Sequence, residues 1–198
     1  IGQVSHLLAR PGQDLDLSKG IGDSGACNID VVCRVATLGT KFVNAKNAVA
    51  RMVYSSGGSS YTCTGTLLND TDTATQIPYF YSAHHCMSTQ AEANTLYTYW
   101  GFEATTCGGL TPAANTQMGP GATYLWSDVN TDGLLLRLTG TPPAGAFYSG
   151  WDATQITNGT AVRAIHHPAG DLKMTSLGQK ITQDSVNITV GWTEGTTE

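Results

Sequence analysis

Tyr79-Phe80-Tyr81-Ser82-Ala83-His84-His85-Cys86 is the stretch on which the reading of this chain turns. A run of strand-forming aromatic residues leads into histidine, and a cysteine follows His85 with nothing between them. This pattern is expected where a general base is held at the end of a buried strand. The cysteine can tie the turn covalently to a neighbouring strand, and Cys63, in Tyr-Thr-Cys-Thr-Gly-Thr-Leu-Leu, is the natural mate. An imidazole fixed in this way can take a proton from a hydroxyl nucleophile and return it to a leaving group. The rest of the chain is read by asking what it supplies to that histidine.

At 198 residues the chain holds one domain, or two small ones sharing a core. It is rich in glycine and threonine, poor in charge and ordinary in apolar content, so it can bury a core and carries no signature of disorder. A net charge of −5 and the lack of Lys/Arg clusters exclude nucleic acid or an anionic membrane as the main partner. No apolar run is long enough to span a bilayer, and no charged-then-apolar leader opens the sequence. The five cysteines, Cys27, Cys33, Cys63, Cys86 and Cys107, show no CxxC spacing of a zinc or redox site. Structural disulfides of an exported protein fit them better, and an odd count leaves one without a mate in this polypeptide.

Residues 1–21 mix Leu, Asp and Gln around Arg10-Pro11-Gly12 and read as an extension or residual pro-segment. From Gly22 onward, short apolar runs alternate with Gly, Ser, Thr, Asn and Asp. Strands are predicted at 48–54, 61–68, 79–83, 95–102, 123–125, 134–138, 161–166 and 187–192. Many short strands with few helical periodicities point to an all-β sandwich or barrel. A helical reading of 44–51 fits less well than a strand, whereas 88–94 predicts a single helical turn. Thr139-Gly-Thr-Pro-Pro-Ala-Gly145 is the crossover between two β units, because Pro-Pro cannot sit in a central strand.

His85 needs a carboxylate to fix its tautomer and stabilise the imidazolium. Asp132 immediately precedes the apolar strand Gly133-Leu134-Leu135-Leu136, which places it at the edge of the core, while Asp128 lies in a polar loop and reads as a turn aspartate. For a nucleophile, Gly22-Asp23-Ser24-Gly25 matches the tetrapeptide around the serine of many proteases. In a glycine-rich chain it is better read as a turn leading to Cys27. His166 and His167 do not make a metal site, since neighbours in a strand face opposite ways and no thiolate or carboxylate cluster joins them. No cofactor is implied.

With these residues assembled, the sequence resembles the trypsin-like serine endopeptidases of the chymotrypsin superfamily, and more narrowly the secreted bacterial lysyl endopeptidases. The resemblance rests on Gly22–Cys33, Cys63–Asn69, Ser82–Cys86, Asp132–Leu138, Thr141–Trp151 and Ile165–Pro168, in family order. It implies a chymotrypsin-like double β-barrel. Residues 22–140 would form the first barrel and 141–198 the start of a second barrel, incomplete in this chain. It implies His85 as the triad base, Asp132 as the triad acid, and disulfides Cys63–Cys86 and Cys33–Cys107. Cys27 would pair with a cysteine beyond Glu198, on a C-terminal fragment of the same protein that also carries the nucleophilic serine. Protein or peptide substrates cleaved after a basic residue, Lys above all, follow from the same resemblance. A catalytically inactive homologue serving as a binding module is the alternative.

Overall fold

The structure, a computed structural model, describes residues 20–72 and 74–195, together with the backbone of Leu7–Ala9. The expectation placed on residues 1–21 therefore falls almost wholly outside the described residues. In chain order the elements are β1 (Leu7–Ala9), β2 (Ile29–Asp30), α1 (Val32–Ala48), β3 (Val49–Ser56), β4 (Ser59–Leu68), β5 (Tyr79–Ala83), α2 (Gln90–Ala93), β6 (Tyr97–Trp100), β7 (Thr116–Met118), β8 (Ala122–Asp128), β9 (Gly133–Leu138), β10 (Ala161–His166), β11 (Met174–Gln183) and β12 (Ile188–Glu194).

These strands make two antiparallel sheets. The first runs β7-β6-β3-β4-β5-β9-β8, with β1 beside β4; the second runs β10-β11-β12, with β2 beside β11. The protein is thus mostly β, with few helices. The segment around Thr139–Gly145 forms no strand and carries the chain from the last strand of the first sheet towards the second. The short β2 lies between β1 and β3 in sequence, both strands of the first sheet, yet joins the second, pairing Asp30 with Met174 and Ile29 with Thr175.

The core of the first sheet follows from strand alternation. Ala50, Met52 and Tyr54 of β3 point inward with Leu67 of β4, Phe80 of β5 and Leu134 and Leu136 of β9, all essentially buried. Each fully buried Leu, Met or Phe stabilises the fold by roughly 1.5–3 kcal/mol. Phe80 lies across Gly65, where a Cβ would come within 2.1 Å of its ring, so the strand interior needs glycine there. The opposite face of β3, Arg51 and Val53, is also covered, by Phe102, Leu172 and the 167–173 segment that precedes β11. This double coverage explains why β3 is buried continuously from Val49 to Tyr54.

Sequence and structure agree at β5 and β10 to the residue, and at the turn 88–94, which contains α2. The short strands β2 and β7 were not expected, and two longer elements differ as well. Residues 32–48 are helical, and only from Val49 does the chain extend. Val35, Leu38, Phe42 and Ala45 do follow helical spacing, but Gly39, at φ 66°, kinks the helix and interrupts the pattern. The helix is held where Phe42 and Lys46 are buried, Lys46 by an ion pair to Glu103 at 2.7 Å. Strand β11 was not expected, because Gly178 and Lys180 break its apolar character. Gly178 is required there, since a Cβ would lie 2.5 Å from the Gly191 carbonyl oxygen across the ladder.

Candidate active site

Strands β5 and β9 are neighbours whose register pairs Ala83 with Gly133. The residues just beyond those ends, His84 and His85 on one strand and Asp132 before the other, are therefore delivered to one corner. Three hydrogen bonds lock it. The His84 N–H donates to the Asp132 carbonyl at 3.0 Å, and the His85 N–H donates to Asp132 Oδ1 at 2.9 Å. The His85 Nδ1 meets Asp132 Oδ2 at 2.6 Å. With an ionised carboxylate as acceptor, Nδ1 carries the proton and Nε2 is left with a lone pair facing away from Asp132. Asp132 sits at φ 52°, a left-handed conformation uncommon for a residue with a side chain. Such conformations cost about 1–3 kcal/mol and cluster at functional sites. Both side chains are about one-third exposed, 33% and 34%, so the ring is reachable from outside.

The disulfide Cys63–Cys86 ties the residue after His85 to β4, and Cys33–Cys107 ties the first turn of α1 to the loop after β6. Cys27 is exposed and lies outside both bonds. Sulfurs and ring nitrogen of Cys63, Cys86 and His85 fall within 4.8 Å of one another, but a disulfide offers no thiolate, so this grouping does not suit a metal.

The other singled-out residues go elsewhere. His84 Nδ1 bonds the Ser127 hydroxyl at 2.7 Å, which bonds the Tyr124 hydroxyl at 2.7 Å, so His84 pins β8. Asp128 accepts the Asn130 N–H at 2.8 Å, a turn-capping role. Ser24 donates its hydroxyl to Asp171 at 2.5 Å within a turn. His166 and His167 are buried; the His167 Nδ1 faces the Asp171 carbonyl oxygen at 3.0 Å. Burial, reinforced by the nearby charges of Lys173 and Arg51, holds His167 well below the ordinary histidine pKa and so keeps it neutral.

A cavity of about 250 Å³ opens beside the pair, lined by His85 with Tyr54, Ser56, Tyr61, Ser88 and Glu92 among others. Glu92 was not singled out from the sequence. Its signal was legible in Thr89-Gln-Ala-Glu92, the capping-box pattern, and both reciprocal bonds of that box are formed. A larger cavity, about 470 Å³, is lined by Asp70, Tyr79, Leu135 and Trp151 among others and does not include His85.

The profile of the family described as lysyl endopeptidase, C-terminal domain, matches residues 21–198. The chain belongs to the lysyl endopeptidase family. It is similar to a lysyl endopeptidase of Pseudomonas aeruginosa, 46% identical over 164 residues, which cover 80% of this chain and 35% of that protein. The chain thus spans about a third of the length of that curated relative. The residues matched to the lysyl endopeptidase family include the corner formed by His85 and Asp132 and both disulfides.

Proposed function

We propose that this chain is the His–Asp half of a secreted bacterial serine endopeptidase that hydrolyses peptide bonds after Lys, with its nucleophilic serine carried outside these 198 residues. The observation that carries this reading is the double grip of Asp132 on His85, through the backbone N–H and Nδ1. His85 takes the proton of the attacking serine hydroxyl at Nε2 as the acyl-enzyme forms. It then donates that proton to the leaving amine, and repeats the cycle with water. Asp132 keeps the ring in the tautomer that can do this and stabilises the imidazolium as it appears. Lys specificity is supported by the name of the Pseudomonas relative.

The accompanying fold reading is a chymotrypsin-like pair of β-barrels: 22–140 the first, 141–198 the start of the second, with 1–21 as an extension. A C-terminal segment joined through the exposed Cys27 would complete the second barrel and bring the serine. Two disulfides and family membership support an extracellular location. The test is to express the full-length protein and treat it with a fluorophosphonate probe alongside a peptide containing a single Lys. Cleavage on the carboxyl side of Lys, blocked by the probe, is expected. An intact peptide with no labelled serine would refute the reading and favour a binding module.

A further inference from the structure

The cavity beside His85 has walls that the acid–base chemistry does not use. We propose that it is a substrate subsite for a positively charged side chain flanking the scissile bond, with Glu92 as its charge-recognising residue. The proposal rests on the endopeptidase reading above and extends it to a second recognition position, separate from the residue after which the chain is cut.

Three observations carry it. The cavity is lined by His85 itself, so a group seated there lies within a residue or two of the reacting bond. Its walls are polar: Ser56, Ser88, Tyr54, Tyr61 and Glu92 offer hydroxyls and a carboxylate, and among the described residues lining it none is Lys or Arg. Glu92 is also held rigidly as an anion. Burial alone would raise its pKa, but hydrogen bonds from the Ser56 hydroxyl, the Ser88 and Thr89 N–H groups and the Thr89 hydroxyl outweigh this and hold it below the usual carboxylate value.

The division of those bonds matters. Oε2 accepts all three from Ser88 and Thr89, at 2.9, 3.0 and 2.9 Å, whereas Oε1 accepts one, from Ser56 Oγ at 2.5 Å. Oε1, with one donor against three on Oε2, is the less engaged oxygen and retains room for an incoming N–H donor. The capping box fixes the side chain in advance, so little freedom is lost when a ligand arrives. The charge also reaches the cavity wall: the buried Tyr54 hydroxyl is pushed well above the ordinary tyrosine value, first by burial and then by the negative charge of Glu92.

A local helix cap alone would not discriminate between substrates, and this separates the two roles. Full-length enzyme is assayed on internally quenched peptides with Lys fixed at the cleaved position and Arg, Ala or Glu placed at each flanking position in turn. At one flanking position kcat/KM is expected to fall from Arg to Glu by about five- to tenfold, the scale of one partly solvated charge pair. In Glu92→Gln, which preserves the hydrogen-bond acceptor of the cap but not the charge, the spread is expected to shrink below twofold. Ser88→Lys, on the exposed rim of the cavity, is expected to reverse the order to favour Glu and serves if Glu92→Gln folds poorly. A wild-type enzyme that cleaves all the Lys peptides alike, or a spread unchanged in both variants, overturns the subsite alone. Failure to cleave any of them overturns the endopeptidase reading and the subsite with it.

Discussion

His85 and His167 each have an aspartate beside the ring, and they differ in which part of the aspartate faces it. At His85 the carboxylate of Asp132 grips both Nδ1 and the backbone N–H, and a third of the side chain is exposed. At His167 the ring meets only the carbonyl oxygen of Asp171. The Asp171 carboxylate is spent on the N–H groups of Gly22, Ser24 and Leu172 and on the Ser24 hydroxyl, tying the start of the domain to the loop before β11. Under the proposed endopeptidase reading, the difference teaches what an imidazole needs to act as a proton shuttle. It needs a carboxylate aimed at the ring and a free edge open to a reactant. His167 has neither, and the charges of Lys173 and Arg51 near it oppose its protonation.

The sharpest way to break the comparison is to delete each ring. In the full-length enzyme, His85→Ala is expected to lower kcat/KM by about 10⁴- to 10⁶-fold, with little change in unfolding midpoint. His167→Ala is expected to leave the folded fraction active and to lower stability, read by urea unfolding. Next in size, Asp171→Ala leaves four donors without their acceptor in a buried place and is expected to cost about 3 kcal/mol. Asp128→Ala, which removes only a turn bond, is expected to cost under about 0.5 kcal/mol and to change activity less than twofold.

Between these lies a pH effect confined to the buried region. Burial pushes the Lys173 ammonium down from 10.5 to about 7; its Nζ donates to the Lys46 carbonyl at 2.8 Å, and Glu103 only partly offsets the shift. Between about pH 7 and 10.5 the unfolded chain holds this proton and the folded chain has lost it, so this residue makes stability rise with pH across that window. In Lys173→Met the rise is expected to flatten, measured as unfolding free energy at pH 7 and pH 9.5. An unchanged slope would mean that the site is not desolvated.

The two regions were unequally legible in the sequence. His85 and Asp132 could be found because the chemistry demands those residue types at strand ends, and β5 and β9 carry simple apolar signals around them. The 167–173 region has no such signal. Lys173, Asp171 and Arg51 look like surface residues in a string of letters, and their burial depends on the second sheet packing over β3. Helix α1 was hidden for a related reason. Val32, Val35, Thr37, Thr40 and Val43 favour strands, and contacts distant in sequence, Phe42 with Arg163 and Lys46 with Glu103, stabilise the helix against that preference. β11 was hidden by Gly178, which reads as a break until the close backbone of β12 is known.

The central claim is that Asp132 makes His85 a base, and one substitution tests it without removing the ring. Asp132→Asn in the full-length enzyme keeps the shape of the corner but lets the amide favour the wrong imidazole tautomer. Measured as kcat on a single-Lys peptide near neutral pH, activity is expected to fall about 10⁴-fold while the unfolding midpoint stays close to that of the parent. A folded Asp132→Asn enzyme that keeps activity within tenfold of the parent would contradict the account.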